Sequence, residues 1–260
     1  MLNRLRGTVG KHQSLPYLIR FSYHKCLTRY MGAIFDKNKH FGSKEQDFIR
    51  HIREKKSPRF ISINNSVIYP ARKFLAQTRM VHLIRHPKDL IISGYHYHKK
   101  GPELWNRMGF SWPNFYKVSL ELDHVLNDQE KKMLRQDLTY QQLLETLPFE
   151  KGMMIEMVWL KYIKTFNPLI YYNSPLVQTF RFEKIMEDPV EGVRKMCRYW
   201  QLTEEETTYY CDRAEHYNRN PSYPVRNSSA YQYKEVYTKE LNQFFYQQFN
   251  HLVERLDYPD

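Results

Sequence analysis

The chain has 260 residues, room for one sizeable α/β domain or two small ones, and its 42% hydrophobic content, with 21 Tyr and 15 Phe, excludes a wholly disordered polymer. Forty Lys and Arg against 28 Asp and Glu leave a net charge of +12, which favours polyanions: nucleic acid, an acidic membrane face, sulfated polymers or a phosphate-rich cofactor. Cys26, Cys197 and Cys211 stand too far apart for a disulfide scaffold or a Cys-based zinc site, and no run approaches the roughly 18 apolar residues of a membrane span.

Residues 1–15 are polar, basic and aperiodic and read as a flexible arm, so residues 16–260 are expected to form a single domain. The start lacks the apolar run of a signal peptide, and the expected setting is soluble and cytoplasmic, in a reducing compartment. Pro16 to Ser22 is a short apolar run that suits a buried strand, and Thr28 to Phe35 follows with Tyr30, Met31, Ile34 and Phe35 at helical spacing. After the charged stretch from Lys37 to Lys56, Arg59 to Ile63 is a second strand candidate and Pro70 to Gln77 a short helix. Met80 to Ile84 forms a third strand, and Leu90 to Tyr97 a helix led in by Pro87, Lys88 and Asp89.

The stretch from Gly101 to Pro148 is irregular and then helical, and Lys151 to Phe166 has the pattern of a long helix. Leu176 to Phe182 is a fourth strand, and Asp188-Pro189 begins a helix reaching Trp200. Thr203 and Glu206 form a capping box for a helix to Arg213. A loop from Asn218 to Ser229 precedes a last helix, Lys239 to Leu256. Strands alternating with helices imply an α/β fold, a mainly parallel central sheet with helices on both faces.

Two segments carry the chemistry. Between the first strand and its helix lies Lys25-Cys-Leu-Thr-Arg-Tyr30. Free amides at a helix start suit a phosphate, with Lys25 as a mobile cation, Thr28 as a hydroxyl donor and Arg29 as a second charge. No Walker pattern occurs anywhere in the chain, which argues against an NTPase with the usual loop. The third strand closes in Arg85-His-Pro-Lys-Asp89, with Ser93 eight positions, or about two helical turns, after Arg85, and open α/β sheets bind ligands at the carboxyl ends of strands.

Together these segments resemble the sulfotransferase family, a P-loop-like fold whose members take a sulfuryl group from 3′-phosphoadenosine 5′-phosphosulfate (PAPS). The family's 5′-phosphosulfate motif, approximately Lys-x-Gly-Thr-Thr-Trp, is matched at Lys25 and Thr28, with Leu27, Arg29 and Tyr30 in its other places. The 3′-phosphate motif is similar in Arg85 and Ser93, and Phe182-Glu-Lys…Asp188-Pro189 resembles the Tyr-Glu-Asp…Asp-Pro element, with Phe182 in the aromatic slot near adenine. Arg226-Asn-Ser…Tyr233…Thr238 is similar to the late Arg-Lys-Gly…Trp…Thr loop. The likeness runs from residue 17 to about 256, and the chain resembles a diverged, bacterial-type member.

The resemblance implies a PAPS-dependent enzyme that sulfates a hydroxyl or amine of a small-molecule or glycan acceptor, with no metal and no nucleic-acid partner. It implies cofactor binding by Lys25, Cys26, Leu27, Thr28, Arg29, Tyr30, Arg85, Ser93, Phe182, Arg226, Asn227 and Ser228, and a catalytic Lys25 at the departing phosphate. Ser62 and Asn64 occupy the places of a family Lys and of its usual His base, and Asn cannot accept a proton at neutral pH. Glu45 and His24 are the candidate bases, with His96 and His98 behind them. Two alternatives stand beside the enzyme: a non-catalytic member that binds a nucleotide or polyanion, and a nucleic-acid-binding module resting on charge alone. The family's dimer signature is half present, in Lys234 and Thr238, and does not support dimerisation that way.

Tyr95 to Gly101, with Trp105, Phe110, Trp112 and Phe115, suits an acceptor mouth, although such aromatics are more often core. Met153, Met154, Met157 and Trp159 read as helix core, and Glu156 among them has no assigned role. His12, His40, His51 and His82 show no ligand spacing.

Overall fold

A computed structural model of the chain describes residues 17–22, 26–35, 40–41, 60–64, 78–101, 104–107, 121–134, 138–162, 165–166, 175, 177–219 and 230–258. Five strands, β1 (Tyr17–Ser22), β2 (His40–Phe41), β3 (Phe60–Asn64), β4 (Thr78–Ile84) and β5 (Val177–Arg181), form one sheet in the order β2-β3-β1-β4-β5. Every pairing is parallel. Leu18 and Phe21 point to opposite faces of β1, as do Leu83 and Ile84 on β4, and all four are fully buried. Both faces of the sheet are therefore covered, which is why these strands read as continuous apolar runs.

The helices are α1 (Thr28–Phe35), α2 (Pro87–Lys100), α3 (Asp128–Leu134), α4 (Tyr140–Thr146), α5 (Phe149–Tyr162), α6 (Phe182–Glu187), α7 (Pro189–Tyr199), α8 (Glu204–Arg219), α9 (Tyr233–Val236), α10 (Lys239–Gln248) and α11 (Leu252–Arg255). From β1 the chain moves outward to β2 and β3, then crosses to β4 and β5 on the other side. The crevice at the carboxyl ends of β1 and β4 is thus the switch point of the sheet, where open α/β folds hold ligands.

Capping follows the sequence. Glu206 N–H donates to Thr203 Oγ1 (3.2 Å) and Thr203 N–H to Glu206 Oε2 (2.9 Å), the expected capping box. Asp188 accepts from Glu191 N–H at 3.0 Å with Pro189 in the first turn of α7. Thr238, half of the dimer signature, caps α10 by accepting from Leu241 N–H.

Four expectations on elements are corrected. Strand β5 ends at Arg181, whose extended backbone serves as the N-cap of α6, so Phe182 begins that helix. The last helix is two, α10 and α11, broken where His251 adopts φ 58°. Helix α8 runs on to Arg219, past Arg213, since no Gly or Pro interrupts it before Pro221. Helix α5 spans Phe149–Tyr162, starting behind Pro148, with Thr165 and Phe166 in a turn beyond it. The arm 1–15 and the short helix expected at Pro70 to Gln77 lie outside the described residues.

Two buried polar groups shape the core. Glu156 is fully buried; its carboxylate meets His98 Nδ1 at 2.9 Å and accepts from the Tyr140 hydroxyl at 2.7 Å, bracing α2, α4 and α5 together. Gly94 faces that carboxylate so closely that a Cβ there would collide with it. His82, on β4 and edge-on to Phe21, is held neutral: burial pushes its imidazole down to about 3.

The unfolded chain protonates His82 near its ordinary value of about 6.5, whereas the folded chain does not until about 3, so acidification through that window favours unfolding by about 1.4 kcal/mol per pH unit. Replacing His82 by Leu is expected to remove that slope from the stability profile, measured by urea unfolding between about pH 4 and about pH 7.

Candidate anion-binding site at the sheet switch point

Register brings the site together. Ser22 at the end of β1 pairs with both Leu83 of β4 and Asn64 of β3, and Ile84 pairs with Arg181. The residues that follow, the turn into α1, Arg85 and Phe182, therefore emerge side by side.

At the first turn, Cys26 and Leu27 lead into α1. Leu27 has φ 53°, the left-handed region that Gly enters without strain and that a leucine occupies at a cost of roughly 1 kcal/mol. This is the position where the resembled motif carries Gly, the residue best suited to this region. Ser22 Oγ lies 3.2 Å from Thr28 Oγ1, and Arg20 Nη1 donates to the Thr28 carbonyl at 3.3 Å, fixing the helix start to the strand. The Cys26 thiol is fully buried and its pKa is pushed far up by burial and by Glu183, with Arg85 and Arg20 pulling against them. Those influences put Cys26 within electrostatic range of Arg85.

Arg85 is the centre of the site. Its guanidinium carbon sits 4.2 Å over the Phe182 ring, only 5% of the residue is exposed, and among the described residues its Nε has no hydrogen-bond partner. The two carboxylates beside it are engaged elsewhere. Glu183 accepts from His86 N–H (2.9 Å) and from the Tyr258 hydroxyl (2.9 Å). Asp89 accepts from Tyr231 N–H (2.7 Å) and Tyr233 N–H (2.9 Å); burial raises its pKa, while those amides and Arg85 oppose the rise. A buried guanidinium on an aromatic ring, with its neighbouring acids turned to other donors, is chemically able to receive an anion. Ser93 stands four residues beyond Asp89 on α2, on the same helix face, and is half-buried.

The family model for the sulfotransferase domain matches residues 4–251. The chain belongs to the sulfotransferase family. No curated protein matches this chain in sequence. Among solved structures it is similar to mouse sulfotransferase SULT7A1 complexed with PAP, at 16% identity and TM-score 0.51, covering 94% of this chain and 86% of that one. It is also similar to retinol dehydratase in a complex with retinol and PAP, at 12% identity and TM-score 0.43, covering 95% and 85%. The first likeness bears out the sulfotransferase fold.

Of the expected site residues, the fold brings Cys26, Leu27, Thr28, Arg85 and Phe182 to one crevice. Tyr30 is 4% exposed, and its hydroxyl donates to Asn218 Oδ1 at 3.1 Å. Phe182 carries the Arg85 guanidinium on its ring. Arg29 is described by its backbone alone, and Lys25, His24, Glu45, Arg226, Asn227 and Ser228 lie outside the described residues. His98, a reserve candidate for the base, is buried against Glu156, and His96 is half-buried near Phe149. Sequence reasoning did not single out Arg20, Asp89 or Glu183 as site residues. Charged residues on a buried strand or opening an apolar helix were the available signal. Among the described residues, no group of three His, Cys, Asp or Glu is placed to hold a metal ion, and no helix is long and apolar enough to cross a membrane.

Cys197 and Cys211 are also buried, their thiols pushed up by burial, Cys197 to about 12. With Cys26 they are expected to resist a thiol-specific disulfide reagent in the native protein at about pH 8, and all three to react once guanidinium unfolds it.

Proposed function

We propose that this protein transfers the sulfuryl group of PAPS to a hydroxyl or amine of a small-molecule or glycan acceptor. The observation that carries the reading is Arg85: a buried cation on Phe182 whose adjacent acids face other donors, beside the turn into α1. Arg85, with Ser93, holds the 3′-phosphate, while the amides of Cys26 to Tyr30, the Thr28 hydroxyl, Lys25 and Arg29 hold the 5′-phosphosulfate. Arg226, Asn227 and Ser228 close on the 3′ side, and Phe182 and Tyr30 supply apolar surface near the adenine.

Charge distribution supports this. Residues 1–117, which contain both anion-binding turns, have 23 Lys and Arg against 6 Asp and Glu; the remainder has 17 against 22. The excess cation therefore belongs to the part of the chain that meets the cofactor.

In the reaction the bond between sulfur and the bridging oxygen of the 5′-phosphate breaks as an acceptor oxygen or nitrogen bonds to sulfur in line. The acceptor proton passes to a base, for which Glu45 and His24 are the candidates, and 3′-phosphoadenosine 5′-phosphate (PAP) leaves with the bridging oxygen. Lys25 neutralises the charge that grows on that oxygen. A phenol or carboxylate acceptor needs little help from a base.

A second reading, PAP binding without transfer, draws on Asn64. It ends β3 in register with Ser22, beside the site, where the resembled family has its histidine. Calorimetry with PAP and an acceptor screen with labelled PAPS separate the two. Tight binding with acceptor-dependent product supports the enzyme; tight binding without product supports the second reading; no binding removes both.

Lys25→Ala is expected to lower transfer about 100-fold or more while PAP still binds. Arg85→Ala is expected to weaken PAP about 10- to 100-fold, with little loss of thermal stability because a buried charge goes with it. Isothermal titration and thermal melts check both.

A further inference from the structure

Both oxygens of one acid beside Arg85 are engaged, and one of their partners comes from a distant part of the chain. Glu183 follows Phe182, on whose ring the Arg85 guanidinium lies, and is only 1% exposed. Its Oε1 accepts at 2.9 Å from His86 N–H, the amide directly after Arg85. Its Oε2 accepts at 2.9 Å from the Tyr258 hydroxyl, a buried contact across 75 residues of sequence.

Tyr258 is aimed by Arg181, the last residue of β5. Arg181 Nη2 donates to the Asp257 carbonyl (2.6 Å) and to Asp257 Oδ2 (2.9 Å), and its guanidinium carbon lies 4.9 Å from the centre of the Tyr258 ring. The His86 ring meets the same tyrosine edge-on at 5.0 Å. Arg181 is also the register partner of Ile84, the residue before Arg85, so the anchor of Tyr258 and the base of Arg85 stand side by side in the sheet. Burial and the Glu183 charge push the Tyr258 phenol far up, so it stays a donor.

Glu183 and Arg85 both act on Cys26 and on Asp89, so the two opposite charges share one buried neighbourhood. Among the described residues the Arg85 Nε nevertheless has no partner. An acid left there with an unsatisfied oxygen turns to the nearest cation, because an unpaired buried charge is strongly unfavourable.

We propose that Tyr258 is a positioning residue for the anion site: with the His86 amide it occupies both oxygens of Glu183, holds that carboxylate away from Arg85, and leaves the guanidinium to the 3′-phosphate. The inference rests on the nucleotide reading above and adds to it how Arg85 is kept open. Removing the hydroxyl frees Glu183 Oε2, which then pairs with Arg85 and competes with the phosphate. Two simpler roles give other results. A tyrosine that only packs has the same effect whatever stands at position 183. An acid that is only a nearby negative charge repels PAP equally with or without Tyr258.

The experiment is a double-mutant cycle on the full chain, read as PAP affinity by calorimetry and as melting temperature without ligand. Tyr258→Phe is expected to weaken PAP about tenfold. Adding Glu183→Gln to it is expected to tighten PAP again by about tenfold, against less than about threefold when Glu183→Gln is made alone. Without ligand, the new pairing with Arg85 compensates for the lost hydrogen bond. Tyr258→Phe is therefore expected to lower the melting temperature at least about twice as far in an Arg85→Ala background as in the wild type. Unchanged PAP binding by Tyr258→Phe, an equal gain from Glu183→Gln in both backgrounds, or a Tyr258→Phe chain that does not fold would overturn the proposal. Wild-type protein that does not bind PAP would overturn instead the reading on which it stands. The melts need no ligand and then test Tyr258 by themselves: equal losses in both backgrounds overturn its role.

Discussion

A guanidinium taken out of water, and paired with no carboxylate among the described residues, joins the ends of two neighbouring strands. Arg85 follows directly on β4, and the register of β4 with β5 sets Phe182 beneath it. Stacking on an aromatic ring offsets only about 2 kcal/mol of a desolvation penalty of several. Neither Asp89 nor Glu183 meets the remainder, and it is this unpaired charge that the proposed function assigns to a phosphate of the cofactor. Those acids are present but committed to backbone amides and to Tyr258, and in that role they fix the loops on either side.

The same economy recurs away from the crevice. Glu156 is as deeply buried as any acid in the protein, and its oxygens meet His98 and Tyr140. Lys88 rests among aromatic rings. Each buried charge joins elements distant in sequence, so polar groups here set geometry while the apolar core supplies the cohesion.

Much of the sheet was legible in the chain itself. The runs at Pro16 to Ser22 and Met80 to Ile84 are apolar on both faces, and such runs become central parallel strands wherever helices cover them. Thr203 with Glu206, and Asp188 with Pro189, announced helix starts through local chemistry that does not depend on the fold. What was not legible is non-local. Nothing near Asp89 says that its partners are the amides of Tyr231 and Tyr233, 142 and 144 residues on. The end of β5 is not legible because Phe182 suits a strand as well as a helix start. The left-handed turns at Leu27 and His251 carry no glycine to mark them. The residue types of the two turns proposed to bind anions could be read; that Phe182 would support a guanidinium could not.

The central place of β1 has a consequence for how the protein comes into being. Its two edges are completed by β3 and β4, which are made later, and Leu18 and Phe21 lie between them. On the ribosome, at roughly 5–20 residues per second, several seconds pass before Ile84 has been added. Throughout that interval a sticky strand with open edges waits for its neighbours, exposed to pairing with other nascent chains. Translation speed through the first third of the message, and chaperones that shield emerging strands, therefore bear directly on the yield of folded protein.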